Sequence, residues 1–113
     1  MINTLGGRKL GRTGAHRRAM RKNMAASLFL HERVETTISK AKELRPFAEK
    51  LITEAKKGRH DMVRRSIQDK RVFKKLFEVL APRYENRPGG YTRIVRTKVR
   101  EGDNAQVGLI RLV

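Results

Sequence analysis

Tyr91-Thr92-Arg93-Ile94-Val95-Arg96-Thr97-Lys98-Val99 leads through Arg100-Glu101-Gly102-Asp103-Asn104-Ala105 into Gln106-Val107-Gly108-Leu109-Ile110-Arg111-Leu112-Val113. The first segment alternates. Tyr91, Arg93, Val95, Thr97 and Val99 share one face, and Thr92, Ile94, Arg96, Lys98 and Arg100 share the other. A period of two with many β-branched residues predicts a strand. Glu101-Gly102-Asp103-Asn104 supplies turn chemistry, and Gln106 to Val113 predicts the returning strand of a hairpin. A lone hairpin is marginal in water, so something upstream must cover one of its faces.

What lies upstream is mostly helical. Asp69 is placed to cap a helix in which Val72, Phe73, Leu76, Phe77 and Leu80 form an apolar stripe. Ala81-Pro82 is expected to end it, and residues 83–90 read as a loop. Arg59 to Gln68 makes a weaker helix. Before it, Ala41, Leu44, Ala48, Leu51, Ile52 and Ala55 keep helical spacing from about Lys40 to Lys57, with Ser39 as the expected cap and Gly58 as the stop. Pro46 falls inside that pattern and is expected to kink or split the helix near Leu44.

Arg33 to Ile38 is short and β-branched, and predicts a strand. Thr13 is placed to cap a helix over Gly14 to His31. Met20, Met24 and Leu28 share one face of it and are expected to be core. Phe29 falls on the other side, either to stack on a base or to pack beneath the next segment. The order is helix, strand, three helices, two strands. That predicts an α+β fold of two layers with a small sheet. Residues 1–12 carry Gly6, Gly7 and Gly11 without apolar periodicity. They predict a flexible, extended basic arm that orders on a partner, ahead of a single domain over 13–113.

Charge decides the class of partner. The 113 residues hold 28 Lys and Arg against 11 Asp and Glu, a net charge of +17. Such a chain is drawn to polyanions. Met1 to His31 contains no carboxylate, which leaves that segment without the acidic ligands of a nuclease or metalloenzyme. There is no cysteine, so disulfides and thiolate metal sites are excluded, as suits a reducing cytoplasm. No apolar run approaches the roughly 18 residues of a membrane span, and no secretory signal pattern is expected at the N-terminus. His16, His31 and His60 are scattered with no carboxylate at metal-ligand spacing, and no catalytic constellation stands out. No cofactor, metal or small-molecule substrate is expected.

The candidate binding residues follow from that charge. Arg8, Lys9 and Arg12 lie on the glycine-rich arm, where arginine's fork can meet phosphate in two directions. Arg17, Arg18, Arg21 and Lys22 fill the arc of the first helix opposite the methionines, beside His16. Arg17 and Arg21 have no acidic partner within that helix, whereas Arg59 and Arg64 have Asp61 and Asp69 nearby in sequence. Tyr91, Arg93, Arg96 and Lys98 add a third surface on the hairpin. Gly89-Gly90 ahead of it can bring amides near a phosphate or simply make a turn.

Gly7-Arg8-Lys9-Leu10-Gly11-Arg12, His16-Arg17, Arg21-Lys22-Asn23-Met24-Ala25, Lys40-Ala41-Lys42-Glu43-Leu44-Arg45, Gly89-Gly90-Tyr91-Thr92-Arg93-Ile94 and Gly102-Asp103-Asn104-Ala105 stand in an order and spacing that resembles the bacterial large-subunit ribosomal protein seventeen family. The resemblance covers nearly everything from Gly7 to Val113. It implies a structural constituent of the 50S subunit, active in translation in the cytoplasm, that binds 23S rRNA near the rim of the polypeptide exit tunnel. It also implies large-subunit proteins twenty-two and thirty-two as neighbours. The chain departs from the family at Met1-Ile2-Asn3-Thr4, which is uncharged, and at Gly14-Ala15, where the family carries a serine pair. The competing class is a nucleoid-type DNA-binding protein. Against it, no helix-turn-helix pattern appears, and the cations spread over arm, helix and sheet. An RNA-modifying enzyme would need a cofactor loop or nucleophile that is not evident.

Overall fold

The hairpin is central to the architecture. A computed structural model describes residues 14–113 of the chain. The expected arm, the cap at Thr13 and the contacts of Arg8, Lys9 and Arg12 therefore lie outside the described residues. The elements run α1 (Gly14–His31), β1 (Arg33–Thr37), α2 (Ile38–Lys56), α3 (His60–Arg64), α4 (Lys70–Lys75), a π-helical turn (Leu76–Leu80), α5 (Ala81–Arg83), β2 (Thr92–Val99) and β3 (Gln106–Leu112). This is the expected α+β order. The sheet is antiparallel throughout, in the order β1-β3-β2.

β3 pairs Ile110 with Val34 on one side and Ile94 on the other. Ile110 is fully buried, and Val34 and Ile94 pack partly buried against the core. That row faces the helices, and the alternate positions face outward. α2 packs on β3 and β2, while α1 packs on α2, α4 and β1. Leu28, Phe29, Leu44, Ile52, Leu76 and Leu80 fill the space between them. Gly108 sits on the helix side of β3, and a Cβ there would meet Ile38 Cδ1 at the start of α2.

Several local expectations give way to tertiary context. Ile38 begins α2 instead of ending β1, and the cap is Thr37, whose hydroxyl accepts from the Lys40 amide at 3.4 Å, not Ser39. Pro46 does not split α2. It removes a donor for the carbonyl of Lys42, but both residues are exposed, so water can serve that oxygen. Pro82 likewise fails to end its helix, which runs on to Arg83. The π turn before it closes with the Ala81 amide on Leu76 O, and the carbonyl opposite Pro82 belongs to exposed Glu78. α3 is shorter than expected because the chain turns at Arg65 and Ser66 to bury Ile67, which is 1% exposed. The alternation of β2 breaks at Thr97, where a bulge shifts the register between Arg96 and Lys98.

α1 stops at Glu32, whose φ of 65° is costly for a side-chain-bearing residue. Its carboxylate is held by Arg83 at 2.5 Å and Lys75 at 3.0 Å. Lys75 also donates to the carbonyl of Leu30 at 2.9 Å, closing the end of the helix. Hydrogen bonds from Arg83, then from Lys75, pull the Glu32 carboxyl from 4.5 to about 2. A lowered folded-state value means stability that is present above pH 4.5 and lost as pH falls toward 2. The side chain is 37% exposed, so solvent screens the pair. Glu32→Gln is expected to cost about 1 kcal/mol at neutral pH. The gap should close as acid protonates the wild-type carboxylate, which thermal melts across that pH range will read. A gap independent of pH would assign the loss to packing instead.

Candidate nucleic-acid interface

α1 is rotated relative to the expectation from its methionines. Its buried residues are Ala25, Leu28 and Phe29. Phe29 is therefore a packing residue. Arg21 lies one turn before Ala25 and two before Leu28, so it leans inward. Its Nη1 stands 3.7 Å from Glu43 Oε1 on α2, and its guanidinium lies over Phe47 at 5.6 Å. The Nε atoms of Arg17 and Arg21 are buried with no hydrogen-bond partner among the described residues. Arg18 is exposed and Lys22 is half-buried, so these two carry the outward charge of the helix. Met20 and Met24, expected as core, instead line an open groove of about 560 Å³ with His16, Asn23, Val34 and Lys40, although Met24 also touches the core.

The hairpin also sorts its candidates. Tyr91 is 2% exposed. Its ring packs on Tyr84 at 5.2 Å and its hydroxyl accepts from Lys56 at 2.9 Å, so it belongs to the core and offers no face to a base. Arg93 is exposed. Arg96 hydrogen-bonds Gln106, and Lys98 lies 3.7 Å from Glu35. Gly90 has φ of 64°, which glycine adopts without strain, so turn geometry accounts for it.

Sequence reasoning passed over two residues. The register places Arg33 opposite Arg111, and Arg111 opposite Arg93. All three stand one position from the buried row of Val34, Ile110 and Ile94, hence on the outer face. Arg93 was visible as a strand cation. Arg33 and Arg111 become neighbours only once β1 pairs with β3.

Cations elsewhere are matched differently from the expectation. Arg59 pairs with Glu54 at 3.1 Å, Asp69 caps α4 and pairs with Arg71 at 3.3 Å, and Arg64 lies over Phe73 at 4.3 Å. Arg100 holds Asp103 at 2.6 Å and lowers its carboxyl to about 2. Among the described residues no group of three His, Cys, Asp or Glu could hold a metal ion, and no helix is long and apolar enough to cross a membrane.

The arrangement presents cations on a helix and on a sheet, and relatives of the chain bear on what it meets. A protein of Elusimicrobium minutum named large ribosomal subunit protein bL17 is 58% identical over the whole of this chain and 99% of its own length. The protein of that name from Halothermothrix orenii is 54% identical over 94% of this chain and 96% of its own length. That from Anaeromyxobacter dehalogenans is 54% identical over 95% of this chain and 68% of its own. The family model described as ribosomal protein L17 matches residues 20–113, which take in most of α1, the whole sheet and every helix between them. The chain belongs to the ribosomal protein L17 family.

Proposed function

We propose that this protein is a structural constituent of the large ribosomal subunit in the cytoplasm, and that it binds 23S rRNA through phosphate contacts. The observation that carries the reading is family membership joined to a net charge of +17 that is not neutralised within the fold. Affinity comes chiefly from phosphate neutralisation, which positions the protein and carries little base information. Arg18 and Lys22, with His16 and Arg17 beside them, make the helical contact, and Arg93 makes the contact of the hairpin. Arg8, Lys9 and Arg12 add contacts from the arm. Arg21, Arg96 and Lys98 reach RNA only by sharing or leaving their present partners. A position near the rim of the exit tunnel, beside large-subunit proteins twenty-two and thirty-two, is supported by the family resemblance.

Binding of a 23S rRNA transcript, measured across a salt series and in competition with duplex DNA, tests this. With roughly 6 to 10 phosphates neutralised, log affinity should fall with log salt at a slope near −5 to −9. A slope shallower than about −2 would mean the charge is mostly solvated. Equal competition by duplex DNA would favour the nucleoid reading.

The same assay ranks the cations. Arg18→Ala with Lys22→Ala is expected to weaken rRNA binding about tenfold or more at physiological salt. Its melting temperature should hold or rise, because alanine favours helix. Arg59→Ala with Arg64→Ala is expected to cost less affinity, since Arg59 is committed to Glu54 and Arg64 to Phe73. Equal losses in the two variants would deny α1 any special role.

A further inference from the structure

Many cations of this fold have a carboxylate beside them. Arg45, Arg59, Arg71, Arg83 and Arg100 each stand 2.5 to 3.5 Å from one. Arg33, Arg93 and Arg111 do not. Among the described residues none of the three has an ion pair or a side-chain hydrogen bond. They are nevertheless set in one row across three strands, Arg33 to Arg111 to Arg93. Like charges directly opposite each other in a sheet repel.

A protective role explains only part of this. Charges on edge strands discourage edge-to-edge association, and β1 and β2 are both edges. Arg111 is on the central strand, where there is no edge to protect. Its guanidinium adds repulsion toward both neighbours, with no ion pair or side-chain hydrogen bond to offset it among the described residues.

The surroundings narrow the ligand. The next row on the same face is Glu35, Leu109 and Val95. Its one acid, Glu35, lies 3.7 Å from Lys98 and makes no ion pair with the arginines. Val95 is 43% exposed and offers apolar surface beside the row. Three strands span about 10 Å, wider than a single phosphate group. A planar fork at each of three positions suits successive phosphates of one strand, with the apolar strip against sugar edges.

We propose that Arg33, Arg111 and Arg93 form a phosphate-binding row on the outer face of the sheet, which grips the rRNA backbone independently of α1. This rests on the rRNA reading above and adds a second contact face, opposite the helical layer. On this view Arg96 and Lys98, also on the hairpin, are structural partners of Gln106 and Glu35.

The test compares two triple variants of the full chain with equal charge loss. The row variant carries Arg33→Gln, Arg93→Gln and Arg111→Gln. The control carries Arg59→Gln, Arg71→Gln and Arg100→Gln. Affinity for a 23S rRNA transcript is measured across salt, with melting temperature for each. The row variant should lose about 100-fold in affinity near 0.15 M salt, and its salt slope should flatten by about 2 to 3, the share of three phosphates. Its melting temperature should hold or rise as the repulsion is relieved. The control should lose far less affinity. If wild type binds the transcript no better than duplex DNA, the rRNA reading fails and takes the row with it. If wild type prefers the transcript but the row variant matches wild type or the control, the row alone is overturned. If the row variant keeps its RNA affinity yet is depleted from reconstituted subunits, the face meets a protein and the proposal is wrong.

Discussion

Gly108→Val should cost about 3 kcal/mol in a urea melt, a large part of what a domain of this size has. Gly108 is buried on the central strand, on the side that meets α2. A Cβ there would stand 3.0 Å from the carbonyl oxygen of Val95 and collide with Ile38 Cδ1. The methyl of Ile38 can yield. The carbonyl belongs to the β2 backbone, and moving it disturbs the ladder. Replacing glycine also removes an entropic penalty of roughly 0.5–1 kcal/mol, which favours the variant but is the smaller effect. Gly108→Ala is therefore expected to cost about 1–2 kcal/mol. Ile38→Val in that background should recover part of the loss by clearing the methyl. If Gly108→Ala is neutral and gains nothing from Ile38→Val, then α2 does not rest on β3 as described.

Phe29→Ala is expected to be as damaging, at about 3–5 kcal/mol, the usual loss for a buried phenylalanine. Phe29 has no exposed surface and belongs to the core shared by α1, α2 and the π-helical segment. The experiment separates the two roles that its position in sequence allowed. A packing residue lowers stability, while the molecules that remain folded bind rRNA with unchanged affinity. A stacking residue would do the reverse. Chemical melts and binding measured well below the melting temperature distinguish them. Wild-type stability with weakened rRNA binding would contradict the burial described here.

Local periodicity and punctuation carried the element plan. α1 ends at His31, as its apolar spacing indicated, and Asp69 caps α4. Gly58 stops the second helix with φ of 71°, and the turn at 101–104 joins β2 to β3. The family was legible in fragments whose order is specific. What failed depended on neighbours distant in sequence. Thr37 and Ser39 are both good caps, and burial of Ile38 against Gly108 decides between them. The rotation of α1 follows from burying Phe29 and Ala25, which outweighs a methionine stripe that is equally regular on a helical wheel. Arg21 is turned inward by the same rotation, toward a glutamate 22 positions later. Tyr91 reads as a surface aromatic beside basic residues until Lys56 and Tyr84 are seen to enclose it. The arginine row is invisible without the β1–β3 register, because nothing near Arg33 indicates which residue it will face.

The sheet imposes a timetable on synthesis. β3 lies between β1 and β2, yet it is the last of the three in sequence, and the other two strands do not pair with each other. A nascent chain that has produced everything through residue 105 holds two strands with unmatched edges and a core lacking Ile110 and Leu112. Helices can form early because their bonds are local, but the ladder joining residue 33 to residue 111 closes a loop of most of the chain. Closure of the sheet therefore waits for β3, the last of the three strands to be made. Until then a long polycation with exposed strand edges must be kept from adventitious pairing, and its own net charge supplies much of that restraint.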